Sequence, residues 1–284
     1  MLQMYVLYLS TNFGNIKPSM KNYSFAIAAM LLTACTAPRK IDSSTSTQQP
    51  IVVPGKLFTS VFMQRAAEYK ALCYQAFNFA RYRVDQWKPA GKPTAIVTDI
   101  DETVLDNSAY AVHQALQGKD YEEKSWAEWT AMAKADTVPG ALAFLKYAAS
   151  KGIEIYYITN RNETERAGTL QNLQRFNFPN ADNAHLILKQ TISSKEGRRQ
   201  QVLQTHNILL LMGDNLADFS ALFDKKTYDE RLSATQQLAA EFGHRFIVLP
   251  NPDYGDWETA LYNYNYRLTP AQKDSTLRTW LKSY

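Results

Sequence analysis

Residues 94–108 read TAIVTDIDETVLDNS, and this stretch decides the fold. Ala95, Ile96 and Val97 form an apolar run that stops abruptly at Asp99 and Asp101. Apolar and β-branched residues followed at once by polar ones predict a buried parallel strand whose carboxyl end opens into a loop. In open α/β sheets that edge is where ligands bind. Residues i and i+2 of an extended chain point to the same side, so Asp99 and Asp101 can face one site. Two carboxylates that close repel unless a cation lies between them or one holds a proton. A metal-assisted reaction with one carboxylate as nucleophile and the other as acid and base uses both properties.

Downstream, strand-like runs alternate with helical ones. Strands are expected at 153–158, 185–188, 208–212 and 246–249, and helices at 139–150, 163–176, 193–203 and 270–282. This alternation predicts parallel strands joined by helical crossovers, a Rossmann-like α/β sheet flanked by helices. Polar residues follow the second and fourth strands, on the same carboxyl edge. Thr159, Asn160 and Arg161 offer groups that can hold a phosphate or oxyanion. Gly213 is read as allowing a tight turn before Asp214 and Asn215, with Asp218 one helical turn further on. Asp214 and Asp218 at i and i+4 would share a face. Hard oxygen donors on adjacent loops suit Mg²⁺. Lys195, near the start of the preceding helix, supplies a compact charge for a transferring phosphoryl group.

The rest of the chain bounds these readings. Apolar residues make up 45% and charged residues 20% of the 284, an ordinary folded protein. Residues 1–34 contain Lys17 and Lys21 and no acid, so the remainder holds 29 of the 31 basic residues against 27 acidic ones. That balance, without a Lys/Arg-rich run, excludes a nucleic-acid binder. Met20-Lys21-Asn22, the apolar run 25–32 and Leu32-Thr33-Ala34-Cys35 have the layout of a secretory signal too short to span a bilayer. Met20 is read as the functional start and residues 1–34 as the signal. Residues 35–55 are read as a Ser/Thr/Gln/Pro-rich tether behind Cys35. Residues 57–87 carry apolar residues at helical spacing, one long amphipathic helix or two. With Cys35 modified, only Cys73 remains, so no internal disulfide is expected. The four histidines lack metal-ligand spacing and are assigned no role.

DIDET, YYITNR, Lys195 and GDNLADF, in this order, resemble the four motifs of the haloacid dehalogenase superfamily. DIDETVLDNS with GDNLADF and the lipobox-like Leu32–Cys35 segment more narrowly resembles the class C, "DDDD" non-specific acid phosphatases, bacterial outer-membrane lipoproteins. The resemblance implies a haloacid dehalogenase-like core over 56–284 with an N-terminal helix and a helical cap insertion at about 106–138. It implies Mg²⁺ and hydrolysis of phosphomonoesters, often nucleoside 5′-monophosphates including nicotinamide mononucleotide. By it Asp99 is the nucleophile, Asp101 the acid and base, and Thr159 and Lys195 bind the phosphoryl oxygens. Mg²⁺ would be held by Asp99, Asp214 and the backbone carbonyl of Asp101, with Asp218 completing the cluster. Cys35 would be lipidated and the catalytic domain anchored in the cell envelope, and a homodimer is suggested.

Substrate choice is expected in the cap, where Tyr110, Trp126 and Trp129 either pack the cap or stack on a base. Tyr254, in a Pro/Gly loop after the last strand, is by resemblance the best candidate to grip a nucleoside. Two other readings compete. One is a surface binding lipoprotein that keeps the fold without turnover; the other is a phosphotransferase or mutase of the same superfamily, which export disfavours.

Overall fold

The computed structural model describes residues 49–284, so the signal segment and Cys35 lie outside the described residues. Two helices come first, α1 (Val52–Arg65) and α2 (Ala67–Gln86), broken at Ala66, whose backbone is extended. The helical pattern at 57–87 is therefore two helices. The first begins inside the stretch read as tether, where the Val52 amide donates to Asp274 at 2.8 Å. Pro54 sits in its first turn, where a missing N–H goes unnoticed.

After β1 (Thr94–Thr98) come β2 (Leu105–Asp106), α3 (Ser108–Leu116), α4 (Glu123–Ala131) and β3 (Asp136–Thr137). Strands β2 and β3 pair antiparallel, Leu105 with Thr137 and Asp106 with Asp136. This ribbon is the neck from which α3 and α4 project as the cap. The chain continues through α5 (Ala141–Ser150), β4 (Glu154–Asn162), α6 (Arg166–Arg175), β5 (Leu186–Lys189), α7 (Glu196–Thr205) and β6 (Asn207–Gly213). It ends with α8 (Tyr228–Gln237), β7 (Phe246–Val248), the short α9 (Asp256–Thr259) and α10 (Pro270–Trp280).

The main sheet has the order β5-β4-β1-β6-β7, with every neighbouring pair parallel. The chain runs outward from β1 to β5, then returns to the other side with β6, so the order reverses at β1. The crevice at such a reversal, outside the carboxyl ends, is where this class of sheet binds ligands. Alternate residues of β1 feed two cores. Ile96 joins α2 and α5 through Cys73, Phe77 and Leu145, while Ala95 and Val97 join Val202 and Phe246 on the other face. Burial on both faces explains the unbroken apolar run of β1. Cys73 is buried and free, as its place on an apolar helix predicts. At the opposite, amino edge Glu154 lies 3.2 Å from both His185 and His206, ion-pair geometry that histidine spacing did not announce.

The cap is fixed to the core through α4 and α6. Thr130 donates to Glu165 at 3.0 Å, and a Cβ on Gly168 would lie 2.4 Å from the Thr130 carbonyl oxygen. Gly168→Ala should therefore push α4 outward and cost about 1–3 kcal/mol. Thermal denaturation would register this as a Tm lower by several degrees, and an unchanged Tm would contradict the contact.

Candidate active site

The carboxyl ends of β1, β4 and β6 and the start of α7 converge on one cavity of about 410 Å³. The Asp99 amide donates to the Met212 carbonyl at 2.9 Å, which ties the turn after β1 to β6. Ile100 points into the core, and its carbonyl accepts the amides of Thr103, Val104 and Leu105. This tight turn puts Glu102 at φ 54°, left-handed for a non-glycine residue. Asp99 and Asp101 thus emerge from one turn into different surroundings.

Asp99 is 9% exposed and pairs with the Lys195 ammonium, which also lies 2.6 Å from Asp218. Asp101 is clamped by Arg161, whose Nη2 is 2.7 Å and Nε 3.1 Å from Oδ1. Asn107 donates to the same carboxylate at 2.9 Å, and its own Oδ1 accepts the Trp129 indole N–H at 2.8 Å. Asp214 accepts from Asn251 at 2.7 Å and from Thr103 at 3.3 Å.

One ammonium among these carboxylates leaves excess negative charge. Burial pushes the Asp99 carboxyl up to about 7, with Asp218 and Asp101 adding and Lys195 opposing. Burial, then Asp218 and Asp99, raise Asp214 well above the usual carboxylate range. Ligand oxygens of Asp99, Asp214 and Asp218 lie within 4.8 Å of one another. Hard oxygen donors, converging and short of positive charge, fit a divalent cation. The Asp101 carboxylate stands apart, in the arginine clamp.

The closeness of Asp218 explains Gly213. This glycine has no left-handed φ; a Cβ there would lie 2.2 Å from Asp218 Oδ2. Its role is space for a carboxylate, not the tight turn expected of it. Nor do Asp214 and Asp218 share an α-helical face. Residues Leu216–Asp218 form a single 3₁₀ turn, and the Asp218 side chain bends back to accept the Asn215 amide at 3.0 Å.

Of the remaining expected residues, Asn160, Arg161, Trp126 and Tyr254 line the cavity. Thr159 and Trp129 do not. Thr159 is fully buried, accepting the Arg161 amide at 3.1 Å and leaving its own hydroxyl proton to donate. Trp129 packs on the core and steadies Asn107, whereas Trp126, edge-on to Tyr110 at 5.1 Å, lines the cavity together with Tyr110 and Tyr121. The Tyr254 hydroxyl donates to Glu102, a buried carboxyl raised well above its usual range by burial and by Asp101 and Asp214.

Sequence reading missed Glu102, Asn107, Asn251, Arg198 and Arg199. Arg198 holds the Thr159 carbonyl at 2.5 Å and Asn160 Oδ1 at 2.7 Å; Arg199 holds the Asp218 carbonyl at 2.7 Å. The signal for this pair was present, since Lys195, Arg198 and Arg199 have i, i+3, i+4 spacing and so share a helix face. Nothing local marks Asn251 or Glu102.

Residues 28–257 match the family model described as HAD superfamily, subfamily IIIB (acid phosphatase). The chain belongs to that family. The structure of the class C acid phosphatase from Bacillus anthracis is 42% identical, with a TM-score of 0.79 over 82% of this chain and 99% of that one. A second structure of that enzyme, with tungstate bound, is 43% identical over the same shares. Acid phosphatase 1 of Solanum lycopersicum is 23% identical over 166 residues, 56% of this chain. The match spans 57% of the tomato protein's length.

The raised carboxyls set a sign for pH and metal together. A carboxyl whose pKa is higher folded than unfolded makes the cation-free protein take up protons on folding, so its stability falls as pH rises from about 4 towards about 7. A divalent cation replaces those protons and should raise Tm more at about pH 7.5 than at about pH 5. Equal shifts at both pH values would show that the cation binds elsewhere.

Proposed function

We propose that this acid-phosphatase family member hydrolyses phosphomonoesters, nucleoside 5′-monophosphates such as nicotinamide mononucleotide among them, through an aspartyl-phosphate on Asp99 and with Mg²⁺. The observation that carries the reading is Asp99, paired with Lys195 and beside Asp214 and Asp218, two residues from an Asp101 held in a separate clamp. A tetrahedral oxyanion, tungstate, occupies one structure of the Bacillus anthracis relative, and phosphate has the same shape.

Asp99, Asp214 and Asp218 would hold the Mg²⁺, with the Asp101 carbonyl, and the ion would neutralise charge on the phosphoryl oxygens. An Asp99 oxygen attacks phosphorus as the ester oxygen departs with a proton from Asp101. Lys195 sits where it offsets charge on the transferring group, with the Thr159 hydroxyl as a further donor. Asp101 then takes a proton from water as that water attacks phosphorus and releases Asp99. Arg161 and Asn107 keep Asp101 facing the cavity through both steps. An acid optimum fits a first step that consumes a proton held by Asp101. Trp126 and Tyr254 give the leaving group two aromatic surfaces, suited to a base or nicotinamide ring.

Export with lipidation at Cys35 and an outer-membrane location belong to the same proposal, supported by the resemblance of residues 20–35 to a lipobox signal; a homodimer is supported by the family likeness alone.

Phosphate release from nicotinamide mononucleotide, AMP and p-nitrophenyl phosphate by residues 36–284 tests the chemistry. Release should require Mg²⁺ and fall by about three orders of magnitude or more in Asp99→Asn. Folded protein with Mg²⁺ that releases nothing from any of the three would leave a binding protein. Tyr254→Ala should raise KM for the nucleotides and hardly change that for the aryl phosphate, whereas Tyr254→Phe, which keeps the ring, should not. Equal losses on all three substrates would remove Tyr254 from nucleoside binding.

A further inference from the structure

The wall of the active-site cavity carries a second set of charged side chains, from α1, the loop between α3 and α4, the 251–255 loop, α9 and α10. None of them pairs with Asp99, Asp101, Asp214 or Asp218. At its centre is Asp120, whose two oxygens lie 3.2 Å from Lys56 Nζ and 2.6 Å from Lys273 Nζ. Lys56 is also 3.6 Å from Glu258, and Asp253 accepts from Thr59 at 2.8 Å. The side chains of Lys56, Asp120 and Lys273 are 15%, 11% and 17% exposed, so water screens them little. Burial works against the charge of Asp120, yet the two ammonium groups hold its carboxyl below the usual range.

This inference rests on the phosphatase reading. With the phosphoryl group on Asp99, the leaving group fills the rest of the cavity and meets this set. Apart from Asp256, which lies 3.6 Å from Arg231, the set is balanced: Lys56, Lys119 and Lys273 face Asp120, Asp253 and Glu258. We infer that Asp120 is a specificity-determining residue which, by neutralising Lys56 and Lys273, restricts the enzyme to phosphomonoesters whose leaving group carries no negative charge, a nucleoside and not a nucleotide bearing a second phosphate. A second phosphate would have to separate an existing ion pair and stand near three carboxylates. Specificity built from such repulsion is reversible by removing the repelling charge.

The test compares kcat/KM for AMP and for adenosine 3′,5′-bisphosphate. Products are separated by chromatography so that release from the 5′ position is counted alone, and p-nitrophenyl phosphate is run in parallel. The wild type should prefer AMP. Asp120→Asn frees two ammonium groups and should shrink that preference by about tenfold or more. Lys273→Met removes a cation and should widen it. A wild type that takes both nucleotides equally, or a preference that neither variant moves, overturns the inference while leaving the phosphatase intact. Should Asp120→Asn fail to fold, the direction of the Lys273→Met shift decides. Absence of turnover on all three substrates by the wild type would instead refute the phosphatase reading itself.

Discussion

Crowding of like charge is the constraint on which this structure depends. Asp99, Asp214 and Asp218 bring oxygens within 4.8 Å of one another, and among the described residues the only ammonium in contact with them is that of Lys195. Left free, such loops would spread apart. They are held because β1 and β6 are adjacent parallel strands, joined just past their ends by the Asp99 amide on the Met212 carbonyl. Burial of β1 on both faces gives that joint something rigid to pull against. The destabilisation is local, and the surrounding cores offset it.

Helix α7 does three jobs from one face. Lys195 enters the carboxylate cluster, Arg198 braces the end of β4, and Arg199 braces the turn that carries Asp218. Two of these contacts are to backbone carbonyls, so they fix loop positions without adding to the charge of the cluster's ligands. Buried guanidinium groups suit this, because the planar fork reaches several acceptors at once. Arg198 meets Thr159, Asn160, Ser193 and Ser194 together.

What could be read in the sequence followed from period and spacing. The apolar runs placed the five strands of the main sheet, and the aspartates at their ends placed the site. The neck of the cap could not be read, because β2 and β3 are two residues each and pair across about thirty residues of intervening chain. The reason for Gly213 was hidden for a related cause. A glycine after a strand looks like a turn, and only the position of Asp218 shows that the space beside it is taken. Trp129 and Trp126 are three residues apart on one helix and indistinguishable by type; which one meets the cavity depends on how α4 packs on α6, a contact made far along the chain.

The cap and the Asp101 carboxylate are parts of one network, and under the proposed mechanism this has a consequence. Trp129 holds Asn107, Asn107 and Arg161 hold Asp101, and the Arg161 guanidinium lies 5.6 Å over the Trp126 ring. On that reading, a leaving group stacked on Trp126 would bear on the arginine that orients Asp101. Binding energy from the part of the substrate that does not react can in this way be spent on aligning the group that does, the condition under which it raises kcat and not only affinity. Asp99 has no such link to the cap: its partners are Lys195 and the acidic cluster, all on the core. Under the proposed mechanism the sheet would fix the alignment of the nucleophile, and the cap would tune proton transfer.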